Sequence, residues 1–357
     1  MSDSAVRHGC NARDSLNHLW ALGGNGCVRK HMMDIGIARI IWAKLGEIES
    51  KLRHGRHVCM FPGCRSLAIG SHSQQDCGQL KHIAERHHVV ALRRNMKTAL
   101  MGSDDLHEPV VHIDRIGIHN ASVFKGFCNK HDTELFELIE RKPLLQGDVN
   151  QVLAFHRRAV AYELWNKQLV IDMERGLAND VGCDVLGMMP LVADYERLLA
   201  ADRKYAWQPL WGASPISEIE WKWRVVNKNL GVSLTSCIPP LDDSSFAAYM
   251  ASHYDVARQA YGHARPFFSL SIVPIESCTH IVMCWNRCNS GNVEPWVNRF
   301  IADNDLSGFL NECVFCKSED YCLRPSLWDS LSERERSSIR GNLHYCETPI
   351  VPNVIVL

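Results

Sequence analysis

No stretch of this chain is apolar enough to span a membrane, which takes ~18–20 consecutive apolar residues, although 46% of its 357 residues are hydrophobic. Residues 1–30 mix Asp, Arg, His and Gly and lack the apolar run of an export signal. Charge of one sign is missing as well. The 39 Lys and Arg against 40 Asp and Glu leave a net charge of −1, so bulk charge does not draw the whole molecule to a polyanion. There is no G-x-x-x-x-G-K-[ST] loop, no dinucleotide-binding glycine fingerprint and no G-x-S-x-G elbow, which removes the common signals of nucleotide hydrolysis, hydride transfer and serine hydrolysis. Internal repeats and low-complexity tracts are absent too. The expectation is a soluble, cytoplasmic protein with no membrane partner.

Cysteine and histidine, by contrast, are abundant, at 15 and 18 residues. Without export the thiols stay reduced, so a disulfide framework is not expected and most cysteines read as small buried hydrophobes. Ten of the histidines fall between residues 51 and 131. Within that span lies the most specific pattern of the chain. Cys59 and Cys64 flank Pro62-Gly63, which suits the centre of a type II turn that would bring the two thiols together. Much later, Gly126-Phe127-Cys128-Asn129-Lys130-His131-Asp132 places a Cys-x2-His pair at the mouth of a helix. Thiolate and imidazole are the donors of tetrahedral zinc, and close-spaced pairs let one turn supply two at once. The expectation is a structural Zn2+ held by Cys59, Cys64, Cys128 and His131, with Cys77 or His72 as replacement donors.

The order of cysteine knuckle, Ser71-His72 and Cys-x2-His-Asp opening a helix resembles a treble-clef zinc fold, and more distantly the HNH endonucleases within that class. In those enzymes the knuckle holds structural zinc, a histidine ending the first strand is the general base, and a residue after the last zinc donor holds a catalytic cation. The resemblance therefore implies His72 as base and Asp132 as ligand of a Mg2+ or Mn2+ ion. The chain departs from the family at Ser71, where an acidic or histidine ligand is usual. It also lacks the final Asn and His, Glu140 being the nearest spare carboxylate. A longer pattern, which adds Ala68-Ile69-Gly70-Ser71-His72, Phe136 and Ala161-Tyr162-Glu163-Leu164, resembles bacterial proteins with no assigned activity.

Between residues 51 and 131, twelve Lys and Arg oppose six Asp and Glu, a local excess of six positive charges. A basic module in a near-neutral chain is a footprint of phosphate contact, and equally of a solvated face that offsets bound thiolates. Two readings stand: a zinc-stapled module that recognises nucleic acid or a protein partner, or a metal-dependent nuclease. Cys313, Cys316 and Cys322, and Cys278, Cys284 and Cys288, are candidates for a second metal site. Trp207, Trp211, Trp221 and Trp223 read as core packing or an aromatic binding surface.

The fold expected is α+β: residues 1–56 as a lead-in and amphipathic helix, 57–142 as a treble-clef-like zinc module, 143–205 as a helical hairpin, and 206–357 as a mixed α/β domain with a largely antiparallel sheet. Spacings of three and four among Ile37, Ile41, Leu45, Ile48 and Leu52 give a helix stopped by Gly55. Asp148 caps a helix running to Arg175, Gly176 lies beyond it, and a second helix covers Pro190–Lys204. Period-two stretches place strands at 221–226, 231–238, 268–272 and 280–285. Further helices are expected at Asp132–Arg141 (capped by Asp132 or Thr133), 294–302, 306–316 and up to Arg340. The apolar tail Pro349–Leu357 is expected to add an edge strand.

Overall fold

The computed structural model describes residues 35–94, 111–181, 189–240, 254–255, 260–261, 266–318, 320–342 and 351–357. A short helix that the sequence suggests near Leu16–Leu22, and a loop that it suggests at Gly102–Asp105, lie outside them. Helix α1 spans Ile35–His54, on the stripe read from the sequence. Strand β1 (Ser71–His72) is followed by a π-turn at Asp76–Leu80, then by β2 (His88–Arg94), β3 (Val111–Gly117) and β4 (Val123–Phe124). Helix α2 covers Asn129–Glu140, three residues earlier at its start than the pattern suggested.

Helix α3 (Val149–Val181) is the longest element among the described residues. Asp148 starts it: its Oδ1 accepts the backbone N–H groups of Asn150 at 2.9 Å and Gln151 at 3.4 Å, which satisfies donors that an α-helix leaves orphaned. The helix does not end at Gly176. A Cβ there would sit 3.1 Å from the Ile48 side chain, so this glycine marks the close passage of α1 across α3 rather than a stop. Helix α4 (Met189–Asp202) returns along α3 to form the hairpin. Buried Lys167 joins the two, bridging Glu163 at 3.1 Å and Asp202.

Strands β5 (Ile219–Val226), β6 (Val232–Ile238), β9 (Phe268–Ile275), β10 (Cys278–Asn286) and β11 (Tyr321–Leu323) join β2 and β3 in one seven-stranded, wholly antiparallel sheet of order β3-β2-β11-β6-β9-β10-β5. A separate pair, β7 (Tyr254–Asp255) and β8 (Ala260–Tyr261), stands apart from it. β9 and β10 are buried along almost their whole length, because both faces of the sheet are covered. One face, with Leu234, Leu270, Ile272, Ile281 and Met283, packs under α5 (Ser290–Ile301) and α6 (Leu306–Phe315). The other presents Trp223, Val273, Val282 and Cys284 to α3.

Beyond β11, a final helix running to about Arg340 was expected, with Ser332 and Glu335 at capping-box spacing and Gly341 as its stop. The chain forms α7 (Pro325–Ser330), which was not foreseen, and then that final helix as α8 (Glu333–Asn342), which runs through Gly341. They divide at Ser332, whose hydroxyl accepts the Glu335 N–H at 3.3 Å while Glu335 accepts the Ser332 N–H at 2.7 Å. That reciprocal box was legible as a helix start.

The expected edge strand at the tail is absent among the described residues 351–357. Val354 and Ile355 are buried instead against α6, and Asn311 supplies the pairing that a strand would have given. Its Oδ1 accepts the N–H groups of Val354 and Ile355 at 3.0 and 2.9 Å, and its Nδ2 donates to the Ile355 carbonyl at 2.8 Å. Asn311→Ala leaves these buried backbone groups unpaired, which costs about 2–3 kcal/mol. A lowered urea midpoint with early proteolysis of the tail is the expected result, and an unchanged midpoint would show that the clasp contributes nothing.

Candidate metal centre

The segment from Val58 to Leu67 folds back on itself, with Val58 and Leu67 bridged. The Cys59 N–H donates to the Ser66 carbonyl at 2.9 Å and the Cys64 N–H to the Phe61 carbonyl at 3.0 Å. That last bond, with Gly63 at φ +77°, is the type II turn expected of Pro62-Gly63. Two further bonds dock this turn on the chain entering α2: the Met60 N–H donates to Gly126 at 2.8 Å and the Ile69 N–H to Phe127 at 2.7 Å. No side chain fits at Gly126, where a Cβ would lie 2.2 Å from the Phe124 ring.

Cys128 stands at the N-cap of α2 in extended conformation, φ −76° and ψ 161°. Its carbonyl accepts the Asp132 N–H at 2.9 Å. Asp132 therefore lies inside the first turn, and neither it nor Thr133 is the cap.

This folding gathers Cys59, Cys64, Cys128 and His131, whose donor atoms all lie within 4.8 Å of one another. His131 Nδ1 is 3.5 Å from Cys59 Sγ and 3.4 Å from Cys128 Sγ, and Cys64 Sγ is 4.0 Å from Cys128 Sγ. A tetrahedral zinc with bonds of ~2.3 Å to sulfur and ~2.0 Å to nitrogen sets its donors roughly 3.5–3.8 Å apart. The group thus has the composition and size to hold such an ion. Burial pushes the Cys59 thiol up to about 11, while a hydrogen bond from the Ser66 backbone pulls Cys64 down. Ionised together, donors packed this closely would need a cation to offset their charge.

The imidazole of His131 is held by stacking. Phe61 lies flat on it, ring centroids 3.8 Å apart and planes 11° apart. Trp211 meets Phe61 edge-on at 5.1 Å, Trp207 meets Trp211 at 4.9 Å, and the Arg157 guanidinium caps Trp211 at 4.4 Å. Trp207 and Trp223 are buried, so these tryptophans serve packing rather than an open aromatic face. Nothing in the local sequence announces that Trp211 would brace a turn 150 residues earlier.

Among the described residues this is the one such donor group. Cys313, in α6, Cys316 at its C-cap and Cys322 in β11 do not gather into a second, nor do Cys278, Cys284 and Cys288. The side chain of Cys77 lies outside the described residues.

His72 and Asp132 are not drawn into the donor group. His72 ends β1, which pairs antiparallel with β4 through Ser71↔Phe124 and His72↔Val123. Its Nδ1 lies 3.0 Å from the Ala121 carbonyl. A carbonyl only accepts, so Nδ1 carries the proton and Nε2 bears the lone pair of the neutral ring. Asp132 is half-buried and its carboxylate has no hydrogen bond or ion pair among the described residues. Glu140 is not spare: it pairs with Arg158, a buried guanidinium that also lies 4.0 Å over the Phe136 ring.

A network not foreseen from the sequence anchors the strand bearing His72. Asp320 accepts the Ser73 hydroxyl at 2.8 Å, its backbone carbonyl accepts Gln74 Nε2 at 3.0 Å, and Tyr162 of α3 also bonds its carboxyl. Burial pushes that carboxyl up to about 7 against the pull of Ser73, Gln74 and Tyr162.

Comparison with known proteins adds no relative: no protein-family model matches the chain, and neither does any curated protein or solved structure. No helix among the described residues is long and apolar enough to cross a membrane.

Asp320 yields a pH prediction. Its folded value lies above the unfolded one, so the native state retains the proton longer and the associated stability is full at acid pH. That stability falls as pH rises from about 4 toward 7. Asp320→Asn, which mimics the neutral form, is expected to flatten this slope and raise the melting temperature at pH 8 relative to wild type. An identical pH profile in the variant would contradict the assignment.

Proposed function

We propose that the chain is a nucleic-acid-recognition protein built around a zinc-stapled module, with the cation structural. The observation that carries this is the complete donor set. Three cysteines and one histidine fill a tetrahedron and leave no position for water or substrate, which is the signature of structural rather than catalytic zinc. The order of its parts supports a treble-clef-like reading: a hairpin turn with two donors, a pair of short strands, then a helix whose first turn holds the other two. The six-charge excess of residues 51–131 favours a phosphate-bearing partner over a neutral protein surface.

A second reading, a nuclease of the HNH kind, rests on His72. The Ala121 carbonyl orients its ring so that Nε2 is the basic nitrogen, as a general base for water requires. Asp132, with no partner of its own among the described residues, would then hold a Mg2+ or Mn2+ ion.

One set of measurements separates the two. Purified protein is expected to carry one zinc per chain by elemental analysis, and Cys128→Ala to lose both the metal and the structure around it, because zinc binding is coupled to folding. Binding of a labelled DNA duplex or single strand should vanish on chelation and persist in His72→Ala. Mg2+- or Mn2+-dependent cleavage abolished by His72→Ala with the fold intact would establish the nuclease instead. Protein without stoichiometric metal would overturn both.

A further inference from the structure

The turn that launches β2 is built from residues that do not suit it. Glu85 and His88 exchange two backbone hydrogen bonds, at 2.9 and 3.0 Å, around the two-residue loop Arg86-His87. Both loop residues sit at left-handed φ, 51° and 62°. That is a type I′ hairpin turn, for which Asn-Gly is the unstrained choice, whereas Arg and His each meet a steric penalty there. His88 reinforces it, its Nδ1 2.7 Å from the Arg86 carbonyl. The strain secures no internal contact for the two side chains. Arg86 and His87 are exposed, and neither side chain has a hydrogen bond or ion pair among the described residues.

The turn heads a run of exposed basic groups. The His87 carbonyl accepts the Ile118 N–H at 3.0 Å, so the 3-10 turn Ile118–Asn120 lies against it and presents His119, whose side chain is 75% exposed. The carbonyl of Ala121, directly after that turn, holds His72. Lys81 and His88 are exposed as well.

The neighbouring carboxylates are mostly committed. Glu85 takes the Ser326 hydroxyl and N–H at 2.5 and 3.1 Å, Asp76 pairs with His119 at 2.8 Å, and Asp329 pairs with Arg115. Asp114 is exposed, and its Oδ1 accepts the Arg115 N–H at 2.7 Å. None of the exposed large hydrophobic side chains falls between residues 70 and 144 among the described residues. The stretch that carries the turn therefore offers charge, while the exposed apolar side chains of the module, Val58, Leu67 and Ile69, lie before it on the donor segment.

We infer that the Arg86-His87 turn is a phosphate-contacting tip by which this protein grips the backbone of a nucleic acid. The inference rests on the recognition reading above and assigns it a surface. The guanidinium takes phosphate oxygens two at a time, and the imidazoles beside it add donors. Such contacts hold the polymer without reading its sequence. The strained backbone is the cost of presenting two long donors where a relaxed turn would present none.

The test is the double variant Arg86→Asn/His87→Gly in the full-length, metal-loaded chain, alongside Arg86→Ala. Asn-Gly relaxes the turn, so its thermal midpoint should rise above wild type while its affinity for a fluorescent DNA duplex falls about tenfold. The plot of log affinity against log salt should also flatten by about 0.9 for each phosphate that the variant no longer neutralises. Arg86→Ala keeps the strained backbone and should bind more weakly without gaining stability. Unchanged affinity and salt slope in both variants, with DNA bound normally by wild type, would overturn this inference alone. Wild-type protein that binds no nucleic acid would overturn it together with the recognition reading.

Discussion

Helix α3 packs between the large sheet and the four-donor module, and several of the polar side chains it buries find partners inside the protein. His156 is fully buried, with Nδ1 2.8 Å from Ser269 Oγ and Nε2 2.9 Å from Asn286 Oδ1. Burial drives its value down to about 4, which keeps the ring neutral. Arg158 finds Glu140 and Lys167 finds Asp202. Replacing either member of such a pair alone strands a charge, which ties the helix to the elements that carry the partners. From this fixed position its apolar side chains reach both neighbours: Phe155 meets Trp223 of the sheet, while Tyr162 and Trp165 meet Phe124 beside the donor group.

The donor group and the sheet are therefore not independent. Residues between the two halves of the group leave to form β2 and β3, and those strands become one side of the sheet through the pairing of β2 with β11. Ser73 and Gln74 then tie the departing strand to Asp320, just before β11. The donor segment is tied down by the stacking of Phe61 on His131, by the edge-on contact of Phe61 with Trp211 and by this polar seam. Each connects it to a different part of the chain.

Much of this was legible in order and little of it in depth. The two donor pairs stood out because each is local: a Pro-Gly turn brings Cys59 to Cys64, and one helical turn brings Cys128 to His131. Strands β6, β9 and β10 declared themselves by β-branched and aromatic content. β3 was missed because the sheet edge tolerates Asp114 and Arg115 in its middle, which break the apolar alternation. Gly176 was misread because a glycine that admits a neighbouring helix and one that ends its own look alike in one dimension. The polar tail clasp at Asn311 and the Asp320 network join residues far apart in sequence, and no local pattern encodes either.

The excursion between the donor pairs has a consequence for how the molecule assembles. Cys64 and Cys128 are 64 residues apart, a long loop to close by chance, since closure entropy grows with loop length. Antiparallel pairing of β2 with β3 folds that excursion back on itself and shortens the free loop between the two donor pairs. The hairpin thus spares part of the closure entropy that joining the two halves of the donor group would otherwise cost.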